Sequence, residues 1–298
     1  MLVSDFRTRF RDEGISLSLI TDFQNQVMEF YRAKGRHDMV WRHTKDPYRI
    51  VVSEVMLQQT QVSRVAVIYP AFIDKYPDVF ALAKAGPADL LAAWQGMGYN
   101  RRALNLQKLA KIIADEYGGK FPEEPELLVK LPGIGPATSC SIAAFAFNRP
   151  VVFIETNIRR VFIHYFFEEN TIVDDSEILP LVSAMLPNNP RVWYWALMDL
   201  GTALKASVKN PNQRSRHYAK PKAFEGSDRQ IRGRVLREML DLETANAGTL
   251  AKEMGEDLSR VQDIMEKMAD EGFFVREETG AYRLSKQDNS DTKNSRRV

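Results

Sequence analysis

Apolar residues recur along most of this chain at spacings of three and four, the period of a helix face, and seldom at the spacing of two that a half-buried strand needs. Residues 17 to 34 are mostly helix-compatible. From 47 to 66 the apolar positions Ile50, Val51, Val55, Val62 and Val65 keep helical spacing, which predicts a helix over that stretch. Downstream, Pro77, Pro87, Pro122, Pro125, Pro132, Pro136 and Pro150 cut the pattern into helices of about ten to fifteen residues joined by short turns. The main domain is therefore expected to be all-α.

The pattern changes from 205 to 222, where KASVKNPNQRSRHYAKPK carries no acidic residue and little apolar content. This reads as an ordered but irregular basic connector. Residues 229 to 240, 249 to 255 and 258 to 271 then predict three helices, followed by strand-like runs around FFVRE and AYRL. Three helices and a hairpin suggest a small winged-helix-like domain. The resulting division is a helical catalytic domain over 1–204, the connector over 205–226, the winged-helix-like domain over 227–285, and a polar tail over 286–298 expected to be disordered.

Composition narrows the function. With 298 residues, 44% hydrophobic and 27% charged, the chain reads as an ordinary globular protein with room for about two cores. No run approaches the roughly 20 apolar residues needed to cross a bilayer, so a cytoplasmic protein without membrane contact is expected. The one cysteine, Cys140, excludes an internal disulfide framework and a cysteine-ligated cluster within one chain. Net charge is only +2, so a nucleic-acid partner would have to be met by a local basic surface.

Four segments carry chemistry. In LPGIG, Leu131 to Gly135, two glycines bracket an apolar residue ahead of a small-residue helix. Such a hairpin turns backbone N–H groups outward and suits a phosphate, although a plain helix-to-helix turn has the same look. In VVFIETNIRRV, Glu155 precedes a helix expected to begin near Asn157, where the helix N-terminus favours a charged carboxylate; taken alone, the segment fits better a plain cap by Glu155 or Thr156. In YRIVVSEVMLQQTQVSRV, Glu54, Gln58 and Gln61 share one helical face, and Val51, Val52, Val55 and Met56 flank the acid. Desolvation there would raise its pKa and let it hold a proton near neutrality. Its amide neighbours can fill the space left by an extruded base. In WQGMGYNRRALNL, Gly96 and Gly98 bracket a turn that offers Tyr99 as a stacking wedge or, alternatively, as a core aromatic.

Together SEVMLQQTQV, WQGMGYNRRALNL, LPGIGPAT and IETNIRRV resemble the successive signatures of the MutY branch of the helix-hairpin-helix DNA glycosylases, over roughly residues 30 to 204. The resemblance implies an all-α, two-lobed enzyme that flips a mismatched or damaged base out of double-stranded DNA and hydrolyses its N-glycosidic bond, working as a monomer. By position it makes Glu54 the catalytic acid and places Gln58, Gln59 and Tyr99 against the duplex. Leu131, Gly133 and Gly135 fall in the phosphate-binding hairpin. Glu155 stands where the family has a catalytic aspartate, with Asn157 beside it.

The departures matter as much. Glu155 is one methylene longer than the family's aspartate, and Ala137 stands where bifunctional relatives carry a Schiff-base lysine, so a monofunctional enzyme is expected. The cluster-ligating cysteines of the family would follow Leu204, where this chain has none; no iron-sulfur cluster and no other metal is expected, His217 lacking clustered partners. Arg214 and Arg216, with the neighbouring lysines, are expected to contact DNA phosphates in its place. Nothing after 226 resembles the family's Nudix-like domain. The C-terminal domain is left three roles: binding DNA through its third helix, binding a protein, or packing on the body. The substrate readings are adenine opposite 8-oxoguanine or guanine, then thymine or uracil in mismatches, then a lesion-binding protein with weakened chemistry.

Overall fold

The computed structural model describes residues 3–220, 223–242 and 244–285. The chain forms two compact units, each assembled from two stretches: Met1–Glu54 with Phe121–Pro221, and Val55–Lys120 with Lys222–Val298. The first unit opens with α1 (Val3–Glu13), α2 (Leu17–Lys34) and α3 (Pro47–Leu57), whose last turn belongs to the second. The second unit continues with α4 (Val62–Lys75), α5 (Val79–Ala83), α6 (Pro87–Ala93) and α7 (Arg101–Glu116). Then α8 (Pro125–Leu128), α9 (Pro136–Phe147), α10 (Thr156–Phe166), α11 (Asp175–Ala184) and α12 (Pro190–Ser207) return to the first. Last come α13 (Asp228–Leu242), β1 (Thr244–Ala245), α14 (Ala247–Met254), α15 (Leu258–Asp270), β2 (Phe274–Arg276) and β3 (Tyr282–Leu284). The fold is mostly helical, as the periodicity predicts, and none of its described helices is long and apolar enough to span a membrane.

The first unit is organised by aromatics. Phe23 on α2 meets Phe6 at 5.6 Å, Phe166 at 4.9 Å, Phe162 at 5.7 Å and Trp193 at 6.1 Å between ring centroids, all four fully or almost fully buried. Burial of each such side chain is worth about 1.5–3 kcal/mol. A buried ion pair ties the segment after α2 onto α12: Arg42 grips Asp199 with both terminal nitrogens, at 2.8 and 2.9 Å, and Arg36 adds a backbone and a side-chain bond. Further along α12, Gly201 lies against α10. A Cβ there would fall 2.4 Å from the Asn157 carbonyl oxygen, so only glycine allows the two helices this approach.

In the second unit Trp94, Leu82, Leu90 and Phe72 are buried together with the inner face of α7. The helix expected over 47 to 66 is in fact two, α3 and α4, separated at Gln58 to Gln61. The cause is Arg102 on α7, whose Nη1 takes the carbonyls of Val55, Met56 and Gln58 at 2.7, 2.9 and 2.6 Å. With those acceptors satisfied by a guanidinium, the chain turns, and Gln59 enters the left-handed region at φ 54°. The C-terminal stretch has the expected three helices and β2–β3 hairpin, plus the short β1, which makes a three-stranded antiparallel sheet in the order β1-β3-β2. Val261, Ile264, Met265 and Met268 give α15 its buried stripe. The predicted tail from 286 lies outside the described residues.

Candidate active site

Glu54 sits near the end of α3 with buried Val51, Val52, Val55 and Met56 around it in sequence. Its Oε2 lies 2.6 Å from the Ser141 hydroxyl on α9. Burial pushes the carboxyl up to about 7; the Ser141 hydroxyl and the Arg42 charge oppose the rise, and the Glu155 charge adds to it. The serine Oγ also lies 3.0 Å from the Thr138 carbonyl. A hydroxyl has one hydrogen, so Ser141 donates to the ionised Glu54; once Glu54 is protonated it can donate to Oγ, while the serine hydrogen turns to Thr138. The pair can therefore hold or release a proton without stranding a donor.

Glu155 is the N-cap of α10. Its Oε1 accepts from the backbone N–H groups of Asn157 at 2.7 Å and Ile158 at 3.0 Å, and its Oε2 lies 3.4 Å from the Asn157 side-chain nitrogen. The helix begins one residue before the expected Asn157, and the capping geometry raised as the plainer alternative is present. Burial raises this carboxyl too, against the N–H groups of Ile158 and Asn157, the Asn157 amide and the Arg160 charge, all of which favour the anion. Arg160, itself buried, donates from Nη1 to Asn157 Oδ1 and to the Gly201 carbonyl, both at 2.7 Å. Asn157 thus joins the cap to the α10–α12 contact.

The duplex-probing residues proposed from sequence cluster in the second unit. Gln58 and Gln61 do not share a helical face with Glu54, because α3 stops at Leu57; they lie in the turn that Arg102 shapes. The other nitrogen of Arg102 bonds Thr60 Oγ1 at 2.9 Å and the Gly98 and Met97 carbonyls at 3.0 and 3.2 Å, so one guanidinium orders both turns. Tyr99 follows Gly98 with φ 47° and is 40% exposed, which excludes the core-aromatic alternative. The guanidinium groups of Arg102 and Arg229 each lie 5.6 Å from its ring centroid, and its hydroxyl accepts from Arg229.

The hairpin between α8 and α9 has the predicted form. Gly133 adopts φ 80°, which a side chain would strain, and Gly135 is the N-cap ahead of Pro136. Leu131 is buried and anchors the turn, its carbonyl accepting from Ile134 N at 3.1 Å, so its side chain is not a DNA contact. The connector corrects a second expectation. Arg214 does not present its charge outward; it donates to the carbonyls of Ile163, Phe167 and Glu168, closing the C-terminus of α10. Arg216 is exposed, with an ion pair to Asp174 at 3.4 Å, and His217 stands near the same carboxylate. Among the described residues no group of three or more His, Cys, Asp or Glu side chains could hold a metal ion. The single thiol, on α9, does not fit a four-thiolate cluster.

Ser141, Arg42, Arg102 and Asn212 escaped the sequence reading. Asn212, buried in the connector, donates to the Thr156 carbonyl at 2.9 Å, and Asn210 Oδ1 lies 3.4 Å from Arg160 Nε. Both act on the start of α10 from fifty or more residues away. Only Arg102, three residues after the tyrosine of a Gly-x-Gly-Tyr turn, carried a signal.

The first unit thus carries a carboxyl at the end of one helix, a carboxylate capping another and a glycine hairpin before a third, and the second unit carries an exposed tyrosine in a glycine turn. Residues 52–179 match the HhH-GPD superfamily of base excision DNA repair proteins. The chain is 36% identical over 229 residues to an adenine DNA glycosylase of Mycolicibacterium smegmatis, covering 70% of this chain and 78% of that one. It is 29% identical over 191 residues to a thymine/uracil-DNA glycosylase of Methanothermobacter thermautotrophicus, covering 63% and 86%. A solved thermostable thymine-DNA glycosylase superposes with a TM-score of 0.56 at 26% identity, over 65% of this chain and 91% of that one. The chain belongs to the HhH-GPD superfamily and, within it, to the adenine DNA glycosylase family. It is a base-excision-repair DNA N-glycosylase.

Proposed function

We propose that this enzyme removes adenine paired with 8-oxoguanine or guanine, as a monomer acting on double-stranded DNA, without an iron-sulfur cluster. The observation that carries the reading is the pairing of two carboxyls with unlike partners. Breaking a purine N-glycosidic bond requires a proton on the leaving base and a negative charge for the cationic sugar. Glu54, with a pKa near 7 and a hydroxyl that can switch from donor to acceptor, supplies the proton. Glu155 accepts two backbone N–H groups and lies near the Arg160 charge, which favour its anion against the burial that raises it, and as the anion it steadies the oxocarbenium sugar. Gln58, Gln59 and Tyr99 occupy the duplex where the base leaves, and Gly133 and Gly135 hold a phosphate. Ala137 offers no amine, so strand cleavage is not expected.

The test is a panel of labelled duplexes treated with alkali after incubation. Adenine release opposite 8-oxoguanine or guanine is the expected result. Thymine or uracil release opposite guanine would transfer the assignment to the pyrimidine specificity borne by the archaeal relative, and binding without release from any duplex would overturn the enzymatic reading. Purified protein should contain no iron and show no broad visible absorbance; stoichiometric iron and sulfide would refute the clusterless reading.

A further inference from the structure

The second unit contains a groove of about 1370 Å³, of which the mechanism above uses only the turns at Gln58, Gln59 and Tyr99. The turn carrying Gln58 and Gln59 and the wedge turn at Tyr99 line it, and so does α13 of the C-terminal stretch through Arg229, Gly233 and Arg237. Six arginines face it, against one carboxylate, Glu271, which is already paired with Arg232. Among the described residues no carboxylate pairs with Arg64, Arg101 or Arg237, and all three are exposed. Phe224, 60% exposed, has its ring centroid 5.9 Å from the Arg229 guanidinium, so the arginine lies near two exposed aromatic rings.

Gly233 is the second observation. Inside a helix glycine is the least favourable residue after proline, and it persists where some other backbone or ligand must come close. Among the described residues none explains this one: a Cβ at Gly233 would meet no atom within 4 Å, and its φ needs no glycine. The space it leaves opens on the groove.

We propose that this groove binds the DNA duplex beside the extruded nucleotide, that Arg64, Arg101 and Arg237 take its phosphates, and that α13 sets the wedge through Arg229. The proposal rests on the glycosylase reading for the nature of the ligand. It assigns the C-terminal domain a DNA-binding role through its first helix, where the sequence had left open DNA binding through its third helix, a protein partner, or packing on the body. Arg229 is a positioning residue: it holds the Tyr99 hydroxyl, while Arg102 lies 5.6 Å from the ring centroid. Gly233 lets a sugar-phosphate strand pass against the helix.

The experiment measures duplex affinity by fluorescence anisotropy across a salt series, using full-length protein and variants whose melting temperatures are recorded. Arg237→Gln and Arg64→Gln should each lower the slope of log K against log salt by about one and weaken binding to matched and mismatched duplexes alike, whereas Arg276→Gln, on β2 outside the groove, should change neither. Gly233→Ala should raise the melting temperature and still weaken binding, a combination that a structural glycine would not give. Arg229→Met should reduce the fluorescence rise of a 2-aminopurine next to the lesion by several-fold more than it reduces affinity. Unchanged slopes in both arginine variants together with unchanged affinity in Gly233→Ala would overturn the groove. An unchanged 2-aminopurine signal would overturn the positioning role. Absence of base release by wild-type protein would sink the enzymatic reading but leave the salt slopes interpretable.

Discussion

Replacing Glu54 by glutamine tests the central electrostatic argument by stability as well as by activity. A glutamate carboxyl titrates in the unfolded chain near 4.5, and burial raises it to about 7 in the folded protein. Between those values the folded state binds the proton more tightly than the unfolded state, so the contribution is fully present below about 4.5 and is lost as pH rises through 7. One pKa unit corresponds to about 1.4 kcal/mol, so wild-type protein should lose roughly 2 to 3 kcal/mol from this group between pH 5 and pH 8.5. Glu54→Gln keeps the shape and accepts from Ser141 but does not titrate. Urea unfolding of both proteins at several pH values should therefore show the variant gaining on wild type by that amount as pH rises, despite losing base release. Duplex affinity should stay within a few fold, since the acid acts on the transition state. A pH-independent stability difference, or equal losses of binding and cleavage, would refute the buried-acid reasoning.

Three further outcomes are expected. Glu155→Asp withdraws the carboxylate by about an ångström and should cut single-turnover release from an adenine:8-oxoguanine duplex on the order of a hundredfold; a faster variant would show that glutamate has weakened the enzyme. Gly201→Ala places a methyl group against the Asn157 backbone and should lower kcat well beyond KM by shifting the α10 cap; full activity would mean that the cap position is not critical. Arg214→Gln strips the C-terminus of α10 of its donor and should cost about 1 to 3 kcal/mol of stability with the DNA salt slope unchanged, whereas Arg216→Gln should leave the melting temperature alone and flatten the slope.

What could be read in advance was whatever local periodicity encodes. Helix α2 spans 17 to 34 as expected, because Leu19, Phe23, Val27 and Tyr31 form one buried face and Ser16 caps it. The apolar neighbours of Glu54 and the helix start after Glu155 were visible for the same reason. The turn at Gln58 to Gln61 was not, since the apolar spacing runs through it and its cause, Arg102, lies more than forty residues away. Arg214 misled for a related reason: a basic run looks alike whether its charges face phosphate or a helix C-terminus, and only the carbonyls of Ile163, Phe167 and Glu168 decide. Ser141 was hidden among the small residues of α9, where a hydroxyl facing an acid has no local mark.

The interleaving of the two units along the chain has a consequence for how the protein is made. The ribosome delivers residues 1 to 54 first, but their partners in the same core begin only at Phe121, so 66 residues of the other unit emerge in between. At about 5–20 residues per second that is a wait of roughly 3 to 13 s, during which Phe6, Phe23 and the Glu54 helix have no finished core to enter. The second unit waits in its turn for everything after Lys222. The first unit can close its core only once the chain has been made as far as Pro221, and a chain truncated near residue 200 leaves Thr156 without Asn212 and the α10 C-terminus without Arg214. That core is thus completed late in synthesis, and shorter chains are exposed to capture by chaperones and proteases before they can act on DNA.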